Sequence, residues 1–180
     1  MEVVQTKIPD VLIIKPQVFE DQRGYFFESY NKEKFLQQGL DQNFVQDNES
    51  KSVKGVLRGL HFQAPPFAQG KLVRVMKGAV LDVAVDIRKV SPTYGQWTSV
   101  VLTEQNKWMY WVPPGFAHGF VTLADETVFF YKVTNVYHKA SEGSIRWNDP
   151  DLNINWEIEN PVLSSKDQEA PLFKAFKSPF

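Results

Sequence analysis

The sequence predicts a mainly all-β chain, a closed jelly-roll barrel with short flanking helices. Three observations carry this. About ten short apolar runs alternate with polar residues at a period of two. Gly and Pro stand between them as turn punctuation. Helical periodicity is confined to two short stretches. At 180 residues, 43% hydrophobic and 14% aromatic, the chain suits a single domain, 1–180, with enough apolar mass for a sizeable core.

The clearest strand is 81–87, where Leu81, Val83, Val85 and Ile87 share one face and Asp82 and Asp86 the other. Further strands are expected at 11–19, 25–30, 44–48, 56–61, 71–77, 98–102, 108–112, 119–123 and 127–137. Lys54-Gly55 and Lys77-Gly78 mark turns. Asn31 caps a helix over 32–38 that Gly39 ends, and a second short helix is expected after Ser164. Ten strands with little helix also describe a binding sandwich with a packed interior, so the fold alone does not select a function.

Composition narrows the chemistry. With 20 Lys+Arg against 21 Asp+Glu there is no basic excess for a nucleic-acid backbone. Without Cys there is no disulfide, thiol nucleophile or thiolate-bound zinc. The start, Met-Glu-Val-Val-Gln, lacks a secretory pattern, and no apolar run suffices for a membrane span, so a cytoplasmic protein with no membrane partner is expected.

Only three histidines are present: His61, His118 and His138. Gly59-Leu-His-Phe-Gln63 resembles the first cupin metal signature with Gln63 in place of its second His, and Pro113-Pro-Gly-Phe-Ala-His118 matches the second. One imidazole short, the set is a poor transition-metal site, and its histidines are free for acid–base work. Arg58 and His61 share one apolar strand, and Lys71 follows closely, which suits an anion. Arg23 and Glu28 flank an aromatic strand. Gln46-Asp47-Asn48 offers three hydrogen-bonding side chains in succession. Tyr131 and Tyr137 would lie about 20 Å apart on one face of a straight strand. Asp167 could orient a distant His.

Taken in order, these motifs resemble the dTDP-4-dehydrorhamnose 3,5-epimerase family over nearly the whole chain. The resemblance rests on Asp21-Gln-Arg-Gly-Tyr-Phe-Phe-Glu28, Gln46-Asp-Asn-Glu-Ser-Lys-Ser52, Gly55-Val-Leu-Arg-Gly-Leu-His-Phe-Gln63 and Lys71-Leu-Val-Arg-Val75. It continues through Asp86-Ile-Arg88, Ser91-Pro-Thr-Tyr-Gly95, Pro113-Pro-Gly-Phe-Ala-His-Gly-Phe120, Tyr131-Lys132, Trp147-Asn-Asp-Pro150 and Leu163-Ser-Ser-Lys-Asp167. Departures are confined to Gln22, at a variable position, and Glu157, where Pro is common.

The resemblance implies a cupin-like jelly roll, a homodimer, no cofactor, and a small-molecule dTDP-sugar substrate, dTDP-4-dehydro-6-deoxy-glucose. It implies His61 as catalytic base with Asp167 as its paired carboxylate, Tyr131 as proton donor to the opposite face, and Lys71 near the keto oxygen. Arg23, Glu28, Gln46, Asp47, Asn48, Arg58, His118, Glu142 and Lys166 match substrate-binding positions, and Tyr137 an aromatic that stacks on thymine. The C4 ketone makes the C3 and C5 hydrogens acidic, so a near-neutral base opposite a phenol suits double epimerisation. These motifs do not separate a double epimerase from a single-site epimerase or a ketoisomerase on a related nucleotide sugar, whereas the intact set of His61, Lys71, Tyr131 and Asp167 argues against the third alternative, a catalytically silent sugar-binding cupin.

Overall fold

The computed structural model describes residues 1–180. Thirteen strands follow in chain order: β1 Glu2–Gln5, β2 Leu12–Lys15, β3 Phe19–Asp21, β4 Gly24–Phe26, β5 Gln46–Ser52, β6 Leu57–Gln63, β7 Lys71–Lys77, β8 Ala79–Asp86, β9 Trp97–Thr103, β10 Met109–Val112, β11 Phe116–Thr122, β12 Thr127–Val133 and β13 Glu142–Ser144. Two short α-helices accompany them, α1 Lys32–Gln37 and α2 Ser165–Gln168. Asn31 caps α1 by accepting the Lys34 N–H, and Ser164 caps α2 by accepting that of Asp167.

A six-stranded sheet in the order β1-β2-β10-β7-β12-β5 stacks on a five-stranded sheet in the order β13-β6-β11-β8-β9; β3 and β4 form a separate hairpin. The main sheets are antiparallel, as expected for a jelly roll. The jelly roll expected from the sequence is present, its two sheets keeping their own edge strands rather than closing into one continuous hydrogen-bonded barrel. Several expected strands are shorter than drawn. The 11–19 run breaks into β2 and the start of β3, and the 127–137 run ends at Val133.

Three apolar clusters explain the strand patterns. Val73, Val75, Val80, Val112, Phe120 and Phe129 meet between the sheets. Leu81, Val83 and Val85 instead face outward from the five-stranded sheet, with Leu57, Leu60 and Trp156, beneath the C-terminal segment. On the outer side of the other sheet, Leu72, Met109 and Trp111 pack with Phe35 of α1. Both faces of β8 are therefore covered. Asp82, read as belonging to a polar face, is fully buried between the sheets.

Candidate active site

Between the sheets lies a partly open cavity of about 390 Å3. His61 and Arg58 reach it from β6 and His118 from β11. Lys71 comes from β7 and Tyr131 from β12 on the facing sheet. A second recess shares His61, Lys71 and Tyr131, and adds Gln46, Asn48, Tyr137 and Glu142.

Arg58 and His61 are three residues apart and would point to opposite faces of a regular strand. A bulge lets both face the cavity. His61 pairs with His118 and Arg58 with Phe120, so three steps on β6 answer two on β11. Gly59 makes this possible, with φ +138° and its backbone against β11, where an added Cβ would lie 2.5 Å from the Gly119 Cα. Leu57, Leu60 and Phe62 then fill the outer cluster while Arg58, His61 and Gln63 turn inward.

His61 Nε2 lies 2.5 Å from Asp167 Oδ1, joining residues 106 apart in sequence. Asp167 is buried. Its second oxygen accepts from Ser164 Oγ at 2.7 Å. Burial alone would raise the Asp167 pKa, but hydrogen bonds from His61, Ser164 and the Gly59 backbone outweigh it and hold the carboxyl below its ordinary range. An ionised carboxylate on Nε2 fixes the neutral ring as the Nε2–H tautomer, leaving Nδ1 to take a proton. The segment that carries Asp167 is docked by Val162, whose carbonyl accepts from Leu57 N–H at 3.0 Å.

Lys71 opens β7 on the face that carries Val73 and Val75 into the sandwich. Burial pulls its ammonium down to about 8, against the attraction of Asp82 and Glu142. Burial raises the Tyr131 phenol above its ordinary value, partly offset by Arg58, so it stays protonated at neutral pH. Arg58 donates to Ser52 Oγ at 3.1 Å and is exposed at the mouth. His118 Nε2 lies 2.8 Å from Asp82 Oδ1, and both side chains are buried.

The remaining sequence candidates divide. Tyr137 and Gln46 line the second recess and meet, the Tyr137 N–H donating to Gln46 Oε1 at 3.1 Å. They belong to the same recess as Tyr131 although the chain bends after Val133; Tyr131 and Tyr137 do not share a straight strand. Lys166 Nζ pairs with Glu142 Oε1 at 2.5 Å on its rim. Asp47 points the other way. Strand alternation puts Gln46 and Asn48 inward and Asp47 outward, where Lys132 Nζ donates to both its oxygens at 2.7 and 2.9 Å. Arg23 and Glu28 are also outside this chain's cavity. Arg23 is held by Asp21 in the exposed β3–β4 hairpin, and Glu28 by Asn31 and Lys34.

Gln63, which stands where the cupin signature has its second His, is spent on the backbone. Its amide donates to the carbonyls of Phe67 and Val136 at 2.6 and 3.1 Å, and its oxygen accepts the His138 N–H at 2.9 Å. Sequence reasoning missed Ser50, Phe120, Phe129, Leu163 and Ser164 as cavity walls. Only the alternation of β5, β11 and β12 could have signalled the first three.

The model of the dTDP-4-dehydrorhamnose 3,5-epimerase family matches residues 5–175. A dTDP-4-dehydrorhamnose 3,5-epimerase from Salmonella typhimurium is 59% identical over 174 residues, 96% of this chain and 95% of that one. The crystal structure of a dTDP-6-deoxy-D-glucose-3,5-epimerase from Legionella pneumophila in complex with dTDP-4-keto-L-rhamnose superposes with a TM-score of 0.94 at 47% identity, covering 98% of this chain and 94% of that one. A 3'-monoepimerase from Streptomyces bikiniensis in complex with dTDP-quinovose gives 0.88 at 32% identity, covering 93% of this chain and 86% of the other. The chain belongs to the dTDP-4-dehydrorhamnose 3,5-epimerase family.

Proposed function

We propose that this chain is a dTDP-4-dehydrorhamnose 3,5-epimerase, inverting C3 and C5 of dTDP-4-dehydro-6-deoxy-glucose by acid–base chemistry. One observation carries the reading. His61 and Tyr131 project into one cavity from opposite sheets. A pyranose held between them has a base on one face and an acid on the other, which is what inverting a carbon requires.

His61 Nδ1 removes the proton from the carbon beside the ketone, and the electron pair moves into the C4–oxygen bond as an enolate. The Lys71 ammonium stabilises that oxygen. The enolate pair then takes the Tyr131 Oη proton on the opposite face. Solvent accepts the proton from His61 and returns one to Tyr131, so nothing is oxidised or consumed. Asp167 keeps the imidazolium stable while it carries the proton. Arg58 suits the diphosphate, because a guanidinium matches its oxygens in pairs. The recess with Gln46, Asn48, Tyr137 and Glu142 suits the nucleoside, with Tyr137 as the stacking surface and Lys166 holding Glu142 in place.

The reading includes a homodimer. Phe19, Tyr25 and Phe26 are all more than half exposed on the hairpin beside Arg23. A second copy covering them places Arg23 and Glu28 within reach of the neighbour's substrate and gives these two residues a site that one chain lacks. Sedimentation at twice the 20.7 kDa chain mass is expected, and a monomer at micromolar concentration contradicts it.

Proton NMR of dTDP-4-dehydro-6-deoxy-glucose with chelator-treated protein in heavy water tests the function. Deuterium at both C3 and C5 in the product is expected. Exchange at C3 alone would favour a monoepimerase, the activity named for the relative at 32% identity.

A further inference from the structure

Two loops frame the second recess and take no part in the proton relay. Residues 64–70 lead from β6 to β7, and residues 134–141 lead from β12 to β13 and carry Tyr137. Backbone bonds join the loops only at their ends. There the Thr134 N–H donates to the Gly70 carbonyl at 3.0 Å, and the Ala64 N–H to the Ser141 carbonyl at 2.7 Å. Side chains make the contacts in between. Gln69 donates to the Asn135 carbonyl at 2.8 Å, Asn135 donates to the Pro66 carbonyl at 3.2 Å, and the rings of Phe67 and His138 stack at 3.9 Å.

Gln63, the last residue of β6, is the buried member of this set, 5% exposed. Its amide nitrogen donates to Phe67 in one loop and to Val136 in the other, while its oxygen accepts from His138. Those two carbonyls and that N–H make no other hydrogen bond within the chain. Two acceptors and one donor call for a primary amide, which has two N–H groups and an oxygen. A neutral imidazole has one donor and one acceptor, so a histidine here could not serve all three. Val136 and His138 are the two neighbours of Tyr137. The Tyr137 side chain is itself 54% exposed, so packing does little to fix its ring. Its backbone does more, held at Val136 and His138 by Gln63 and at its own N–H by Gln46.

We infer that Gln63 is a positioning residue for substrate binding: from the end of β6 it clamps both neighbours of Tyr137 and so sets how that ring faces the recess. This deepens the epimerase reading and rests on it for the nucleoside that Tyr137 receives. A ring held in place before the ligand arrives need not be ordered on binding. Losing the clamp should therefore weaken binding without slowing the bound substrate, because His61, Tyr131 and Asp167 keep their own contacts.

The test compares wild type, Gln63→Met, Tyr137→Ala and the double variant. Methionine keeps the length of the side chain and removes its three hydrogen bonds. The readouts are titration calorimetry with thymidine diphosphate and steady-state epimerisation. Gln63→Met should weaken thymidine diphosphate binding and raise KM by about tenfold each, with kcat held within about twofold. In the Tyr137→Ala background the same change should alter affinity by less than about twofold, because the ring it positions is gone. An equal loss in both backgrounds, or a fall in kcat with KM unchanged, overturns the inference. Exchange of the His138 amide in heavy water, read by NMR, needs no ligand. It should quicken by at least about tenfold in Gln63→Met, and an unchanged rate overturns the clamp. Should Gln63→Met fail to fold, the wild type decides: His138 protected by at least about tenfold supports the clamp, and exchange at the rate of a free loop amide overturns it. A wild type that binds no thymidine diphosphate sinks the proposed function, and the exchange rates then decide the clamp alone.

Discussion

Two histidine–carboxylate pairs sit side by side, His61 and His118 being partners across β6 and β11, yet their surroundings differ sharply. The His61 side chain is 28% exposed, and both Asp167 oxygens are hydrogen-bonded. The His118–Asp82 pair is closed off, with one Asp82 oxygen unpartnered. Burial dominates there, pushing the Asp82 carboxyl up and the His118 imidazole down. At Asp167 the hydrogen bonds win and the carboxyl stays low. Identical side chains are thereby suited to different work. The open pair can pass a proton to a ligand and exchange it with solvent, whereas the closed pair meets the cavity through His118 but is largely shielded from solvent.

Substitution should separate the two pairs by readout. His61→Ala is expected to lower kcat by about 10^3-fold, within the range for loss of a positioned general base, and Asp167→Asn by roughly tenfold less. Both should stay folded by circular dichroism, since removing His61 leaves Asp167 bonded to Ser164 and Gly59. His118→Ala should do the reverse in urea unfolding. It strands a buried carboxylate and should cost about 3 kcal/mol, against about 1 kcal/mol or less for His61→Ala. Equal stability losses would erase the distinction.

Gly59→Ala sharpens the comparison at its hinge. The new methyl meets β11 backbone, and φ +138° strains any side chain, so a loss of roughly 2 kcal/mol is expected. Activity should fall further than stability predicts, because the bulge aims both Arg58 and His61.

Much of this was readable from residues alone. Strand alternation marked 71–77 to the residue, and Asn31 and Ser164 announced their helices because caps are local chemistry. The His61–Asp167 contact followed from the family resemblance. Long-range geometry was less legible. No periodicity reports that β6 carries a bulge, so how Arg58 and His61, three residues apart, converge on one cavity is visible only in their register with β11. Alternation puts Asp82 on the face of β8 opposite Leu81, Val83 and Val85; that this face is also covered depends on a sheet formed by distant segments. Asp47, Arg23 and Glu28 were grouped with the site by motif, whereas alternation and the hairpin carry them out of one chain's cavity.

The central claim is that base and acid act from opposite sheets, and Tyr131→Phe in heavy water tests it most directly. Proton NMR should show deuterium still entering the substrate at the carbon His61 reaches, the exchanged imidazolium delivering a deuteron to the face the proton left, while inversion falls at least about 10^2-fold. Exchange and inversion reduced in the same proportion, or both unchanged, would contradict a two-walled mechanism.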